Sequence, residues 1–114
     1  MVAVIFEVYP TKEGTAEYLA IAANLREFLK NRPGFISIER FRSLSDEGKV
    51  LSLSFWENEE AVQAWRNLLE HRLAQKKGND ELFEKYRIRV AQVVRDYTDA
   101  ERNQAPLNSN TALT

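Results

Sequence analysis

The chain contains no cysteine, one histidine and four glycines in 114 residues. Without cysteine there is no disulfide frame, no thiolate nucleophile and no cysteine-based metal site. A single histidine among scattered carboxylates does not make a metal triad, so no metal is expected. No glycine-rich phosphate loop is present, which leaves no indication of a nucleotide or dinucleotide site. Charge of one sign is also lacking: 16 basic residues face 17 acidic ones, for a net charge of −1. Nucleic-acid binding favours a basic stripe, and none is found. There is no long hydrophobic run either. The apolar start, Val2 to Tyr9, is far too short to span a bilayer. It also lacks the basic start and cleavage site of a signal peptide, so the cytoplasm is the expected location and no membrane partner is expected.

What remains is the make-up of one small folded domain. At this length the core is thin, and chains of this size often bury further surface by pairing. Val2 to Tyr9 is apolar and β-branched and reads as a strand, closed by Pro10. Thr15 is the expected N-cap of a helix in which Leu19, Ala22, Leu25 and Leu29 recur at helical spacing. Arg32-Pro33-Gly34 stops that helix near Asn31. Phe35 to Ser43 is a second strand, with Phe35, Ser37, Glu39 and Phe41 on one face and Ile36, Ile38, Arg40 and Arg42 on the other. A turn at Ser45 to Gly48 leads into a third strand, Val50 to Trp56. Asn58 caps a second amphipathic helix carrying Ala61, Val62, Trp65, Leu68, Leu69 and Leu73, which runs to about Lys77 and stops at Gly78. Leu82, Phe83 and Tyr86 suggest a short helical turn, and Arg87 to Tyr97 a fourth strand.

The order β-α-β-β-α-β defines an α+β, ferredoxin-like arrangement over residues 1–98: an antiparallel sheet with both helices on one face. Residues 99–114 are polar and aperiodic, and are expected to be a flexible tail or one that crosses to a partner chain. Strands one and three are apolar on both faces. The second face therefore needs a cover, and the simplest cover is a second copy, so a homodimer is expected.

Several local patterns carry a resemblance. Pro33-Gly34-Phe35 opens a strand, Leu51 to Trp56 is followed by Glu57-Asn58-Glu59-Glu60-Ala61, and Trp65 lies one turn further on. His71-Arg72-Leu73-Ala74-Gln75 and Gly78 close the second helix, before Tyr86 and the last strand. Over roughly residues 2 to 97 the chain resembles the antibiotic biosynthesis monooxygenase family, a dimeric α/β-barrel group. The resemblance implies a monooxygenase that needs neither metal nor flavin and acts on a small aromatic molecule of the phenol or quinone type. In that chemistry the substrate, deprotonated to a phenolate, reacts with O₂, and the protein deprotonates, orients and excludes water. Other members degrade haem with an Asn on strand one, a Trp on helix two and an axial His about ten residues later. Trp65 matches the Trp, but the Asn position falls near Phe6 or Glu7, and ten residues beyond Trp65 stands Gln75.

His71 is the candidate catalytic residue, as a base for a phenolic proton or as a haem ligand. Against this, it lies off the apolar stripe, about 120° around the helix from Trp65 at roughly 100° per residue, where it could cap, pair with Glu81 or face solvent. Asn67 and Gln75 share its face and could bind a quinone-like oxygen, or form a solvated or partner-facing surface. Arg72 falls on the Trp65 side and could hold an anionic ligand or a carboxylate across a dimer. Trp56 and Trp65 could wall a flat ligand, or simply pack the core. Phe28, Trp65, His71 and Arg40 could line a pocket between the helices and the sheet, where the resemblance places one. Two other readings stand beside the oxygenase: a non-catalytic dimeric binding or structural module, and haem degradation.

Overall fold

A computed structural model describes residues 1–75 and 83–113; for 70–75 and 111–113 it describes the backbone course alone. The elements are β1 (Val2–Pro10), α1 (Thr15–Leu29), β2 (Phe35–Arg42), β3 (Val50–Trp56), α2 (Glu59–Gln75), β4 (Phe83–Gln92) and a short α3 (Leu107–Leu113). The four strands form one antiparallel sheet in the order β2-β3-β1-β4, which confirms the ferredoxin-like topology. No helix among the described residues is long and apolar enough to cross a membrane.

One sheet face carries both helices. Val2, Val4, Phe6 and Val8 of β1 and Val50, Ser52, Ser54 and Trp56 of β3 are buried there. They meet Tyr18, Leu25 and Leu29 of α1 and Val62, Trp65 and Leu69 of α2 in a single core. Val4, Val8 and Leu29 are fully buried, and each such side chain contributes roughly 1.5–3 kcal/mol. On α1 the buried stripe is Tyr18, Ala22, Leu25 and Leu29, so Tyr18 takes the inward place expected of Leu19, which is 44% exposed. The spacing of four, three and four residues keeps a straight helix on one face better than the stripe begun at Leu19. Thr15 is the first helical residue and not the N-cap. Gly14 holds that place, and the Thr15 hydroxyl donates back to the Thr11 carbonyl at 2.7 Å. At α2 the cap is as expected: the Ala61 N–H donates to Asn58 Oδ1 at 2.9 Å.

Two strands differ from expectation. β2 carries a bulge between Phe35 and Ser37. Phe35 lies opposite Trp56 and Ser37 opposite Phe55, so Ile36 is the extra residue. The bulge puts Phe35 on the helix-covered face with Ile38 and Arg40, rather than with Ser37 and Glu39. β4 begins at Phe83, so Phe83 and Tyr86 belong to a strand and not to a helical turn, and it ends at Gln92 rather than Tyr97. Edge-on ring contacts of Phe83 with Tyr18 and of Tyr86 with Phe6 hold this start in place. The expected end of the second helix at Gly78, and Leu82, lie outside the described residues.

The polar segment after β4 has local order. Arg102 donates to the Thr98 carbonyl at 3.0 Å, to Ser109 Oγ at 2.9 Å and to Asn110 Oδ1 at 2.6 Å, and its guanidinium lies over the Tyr97 ring. The opposite sheet face carries half-buried Ile5, Leu51, Leu53 and Phe55, with the more exposed Phe41 beside them. Glu7 is its acidic member on β1, bridging Lys49 at 3.1 Å and Arg89 at 3.2 Å.

The α1–β2 loop is joined to the start of α2 at Gly34. Its φ is +82°, the Glu57 N–H donates to its carbonyl at 2.8 Å, and a Cβ there would stand 2.7 Å from Ala61 Cβ. Backbone strain and overlap add, so Gly34→Ala is expected to cost about 1–3 kcal/mol. A urea midpoint shift with unchanged slope checks this.

Candidate functional site

Two hollows meet at Trp65. The outer one, about 390 Å³, lies at the end of the sheet between the α1–β2 loop and the first turns of α2. Pro33, Gly34, Ala61 and Ala64 line it together with Trp56 and Trp65. The inner one lies where α1, α2 and the sheet converge, bordered by Phe6, Tyr18, Leu25, Arg40, Ser52 and Trp65 among others. It holds about 20 Å³, the space of one water-sized group.

The indoles are placed by small neighbours. Ser52 and Ser54 are buried on the helix-covered face of β3 and leave room above it. Trp56 fills part of that room, 1% exposed, with its ring centre 5.2 Å from that of Phe35 and 5.9 Å from that of Trp65. Its Nε1 donates to Ser54 Oγ at 2.9 Å. Trp56 is thus a core residue with a satisfied indole that also borders the outer hollow. Trp65 is 5% exposed, yet its Nε1 is buried without a hydrogen-bond partner. A buried indole N–H usually finds an acceptor, so this one is notable.

Arg40 shows the same feature on the facing wall. It sits on β2 opposite Ser52 and reaches under α1. One terminal nitrogen approaches the Ala22 carbonyl at 3.4 Å, while Nε is buried and unpartnered. No carboxylate among the described residues pairs with this guanidinium. Tyr18 is its polar neighbour. Burial pushes the Tyr18 phenol above its ordinary value of 10, and the charge and hydrogen bonding of Arg40 pull against that without prevailing. The hydroxyl therefore stays protonated. The residues that border this apolar hollow thus include Arg40 and Trp65, each with an unpartnered N–H, together with Tyr18 and Ser52.

Of the residues expected at a site, Trp65 and Arg40 come together on the inner hollow and Trp56 adjoins Trp65. Phe28 does not join them: it is 44% exposed beneath the Arg32 guanidinium, 4.1 Å from the ring centre, and borders neither hollow. Asn67 is exposed. The side chains of His71, Arg72 and Gln75 lie outside the described residues. Sequence reasoning missed Tyr18 and Ser52. The four-three-four spacing from Tyr18 could have shown the first, whereas a serine in an apolar strand gives no signal of a pocket floor.

The comparisons with known proteins agree with this architecture. The family model described as antibiotic biosynthesis monooxygenase matches residues 1–77, and the chain belongs to that family. Jasmonate monooxygenase ABM of Pyricularia oryzae is 47% identical over 93 residues, which are 82% of this chain and 43% of that protein. The chain thus spans less than half the length of this relative. Among solved structures, SnoaB of Streptomyces nogalater, a cofactor-independent oxygenase, superposes with a TM-score of 0.65 at 15% identity, covering 83% of this chain and 94% of SnoaB. The heme degrader MhuD of Mycobacterium tuberculosis superposes with a TM-score of 0.65 at 23% identity, covering 86% of this chain and all of MhuD. At such identities these two likenesses speak for the fold alone.

The Tyr18 environment can be checked directly. Its raised pKa means that the stability it contributes is whole below the unfolded value near 10 and is lost as pH rises through the folded value. Alkaline titration followed by tyrosinate absorbance is expected to show a late-ionising component among the four tyrosines. Tyr18→Phe should remove that component.

Proposed function

We propose that the chain is a cofactor-independent monooxygenase acting on a small aromatic of the phenol or quinone type, bound where α1, α2 and the sheet converge. The observation that carries this reading is the inner hollow, where apolar and aromatic walls surround a few polar groups, the lining chemistry of a small-molecule site in a space that must widen to admit a ring. Family membership and the name of the fungal relative support the reaction class.

The chemistry closes without an external reductant. A methylene made acidic by a neighbouring phenol is deprotonated, and its carbanion reduces O₂. One oxygen atom becomes the product carbonyl and the other leaves as water, carrying the two methylene hydrogens. The substrate supplies all four electrons. His71 is the proposed base, because its unperturbed pKa is the one side-chain value near neutrality in the chain. Arg72 and Gln75, on the same last turns of α2, are proposed to orient the substrate, with Trp65 and Trp56 bounding it.

Oxygen uptake with ¹⁸O incorporation, measured on anthrone-type phenols and on jasmonate (the latter with ascorbate supplied), tests the reading. Turnover that survives a chelator and falls about 100-fold or more in His71→Ala is expected. No uptake with any of them would leave a non-catalytic binding or structural module, the reading favoured by how little space the inner hollow has before a ligand enters. A Soret shift on adding haem, with haem breakdown, would transfer the site to haem degradation.

We also infer a homodimer packed through the sheet face that carries Ile5, Leu51, Leu53 and Phe55. That face carries a row of half-buried apolar side chains while both helices lie on the other, so a second copy is its simplest cover. Light scattering at micromolar concentration is expected to give twice the 13.2 kDa chain mass. A monomer would overturn this.

A further inference from the structure

We propose that Arg40 and Trp65 form a clamp for one anionic oxygen, so that the inner hollow takes its ligand as an anion: an apolar ring bearing a single phenolate, enolate or carboxylate group. The proposal rests on the inner hollow being the binding site, and goes further by assigning the charge state of what binds. Three observations converge on it. Arg40 Nε and Trp65 Nε1 are both buried, both lack an acceptor, and belong to side chains that border the same hollow. The hollow has the volume of one oxygen-centred group and not of a ring. And among the residues whose side chains are described, no carboxylate pairs with the guanidinium held beneath α1.

Arg40 is half-buried, its Nε lies in the buried part, and an incoming anion gives that nitrogen the acceptor it lacks. Guanidinium suits the task because its planar donors match an oxyanion and it stays charged at any working pH. The Tyr18 hydroxyl stands beside Arg40 as a neutral polar group and does not neutralise it. The ring of the ligand lies along the seam between the helices, bordered by Ile21 and Leu25 of α1 and Leu69 of α2, and enters by parting these side chains. The rival occupant is a fixed water molecule that satisfies both donors and has no role in binding.

The test is binding, not turnover. Affinities of the intact chain for 4-nitrophenolate, 4-nitrobenzoate and the uncharged 4-nitroanisole are measured by tryptophan quenching, at a pH where the phenol is fully ionised. At least one anion is expected to bind about tenfold or more tightly than nitroanisole, the scale of a charge-assisted hydrogen bond. Whichever anion is preferred tells phenolate from carboxylate. Arg40→Met should abolish the preference, because it removes the guanidinium and keeps an apolar stem in its place. Trp65→Phe, read by ligand absorbance, should weaken the anion several-fold more than it weakens nitroanisole, because both lose the indole wall and only the anion loses a donor. It decides the matter alone should Arg40→Met fail to fold. Equal affinity for anion and nitroanisole, or a preference untouched by either substitution, overturns the clamp and assigns the hollow to water. Anion-selective binding without oxygen uptake keeps the clamp and removes the oxygenase. Oxygen uptake without anion selectivity does the reverse.

Discussion

The site depends on a constraint of parity. Side chains alternate across a strand, so the identity of the residue facing the helices is fixed by counting from any anchored position. In β2 the anchor is Phe35, edge-on to Trp56 in the core. Counting on from Phe35 without interruption would send Arg40 to the open face, beside Leu51. The extra residue at Ile36 changes the count by one and brings Arg40 opposite Ser52, beneath α1. The bulge thus lets one strand both close the core with an aromatic ring and deliver a cation into it. Bulges are commonly found where a side chain has to be re-aimed, and here the re-aimed side chain is the one that gives the hollow its charge.

The packing around that position is uneven in a way that matters chemically. β1 fills its helix-covered face with Val2, Val4, Phe6 and Val8, all of them buried. β3 has Ser52 and Ser54 at the corresponding layer. The space these give up is taken by two indoles whose polar atoms meet opposite fates: Trp56 is satisfied within its own strand, Trp65 is not. A core built for stability alone would leave neither an indole N–H nor a guanidinium N–H unmatched. Both belong to side chains that border one hollow.

Much of this fold could be read from the chain. The limits of β3, the Asn58 cap and the order of elements follow from alternation, capping chemistry and the Pro33-Gly34 stop. The start of β4 could not, because Leu82, Phe83 and Tyr86 fit a helical period as well as a strand, and pairing of Phe83 opposite Pro10 decides the matter. The bulge was hidden for a similar reason. The stretch from Phe35 to Arg42 alternates without any glycine to mark a break, and the break is imposed by the partner strand. The candidate site was legible at Trp65 and Arg40 as residue types on inward faces. That their donors lack acceptors is a property of the surroundings, set by side chains from three separate elements, and no single stretch of chain contains it.

Ser52 lies at the floor of the hollow, on a strand whose limits are fixed by its neighbours on both sides. A larger side chain there would project into the hollow without touching the turns, the caps or the ladder of the sheet. A single codon at Ser52 therefore suffices to change the size of the hollow. A valine or leucine at that place would shut the hollow, and an alanine or glycine would deepen it. A strand position that sets the depth of a hollow can vary without disturbing the architecture around it.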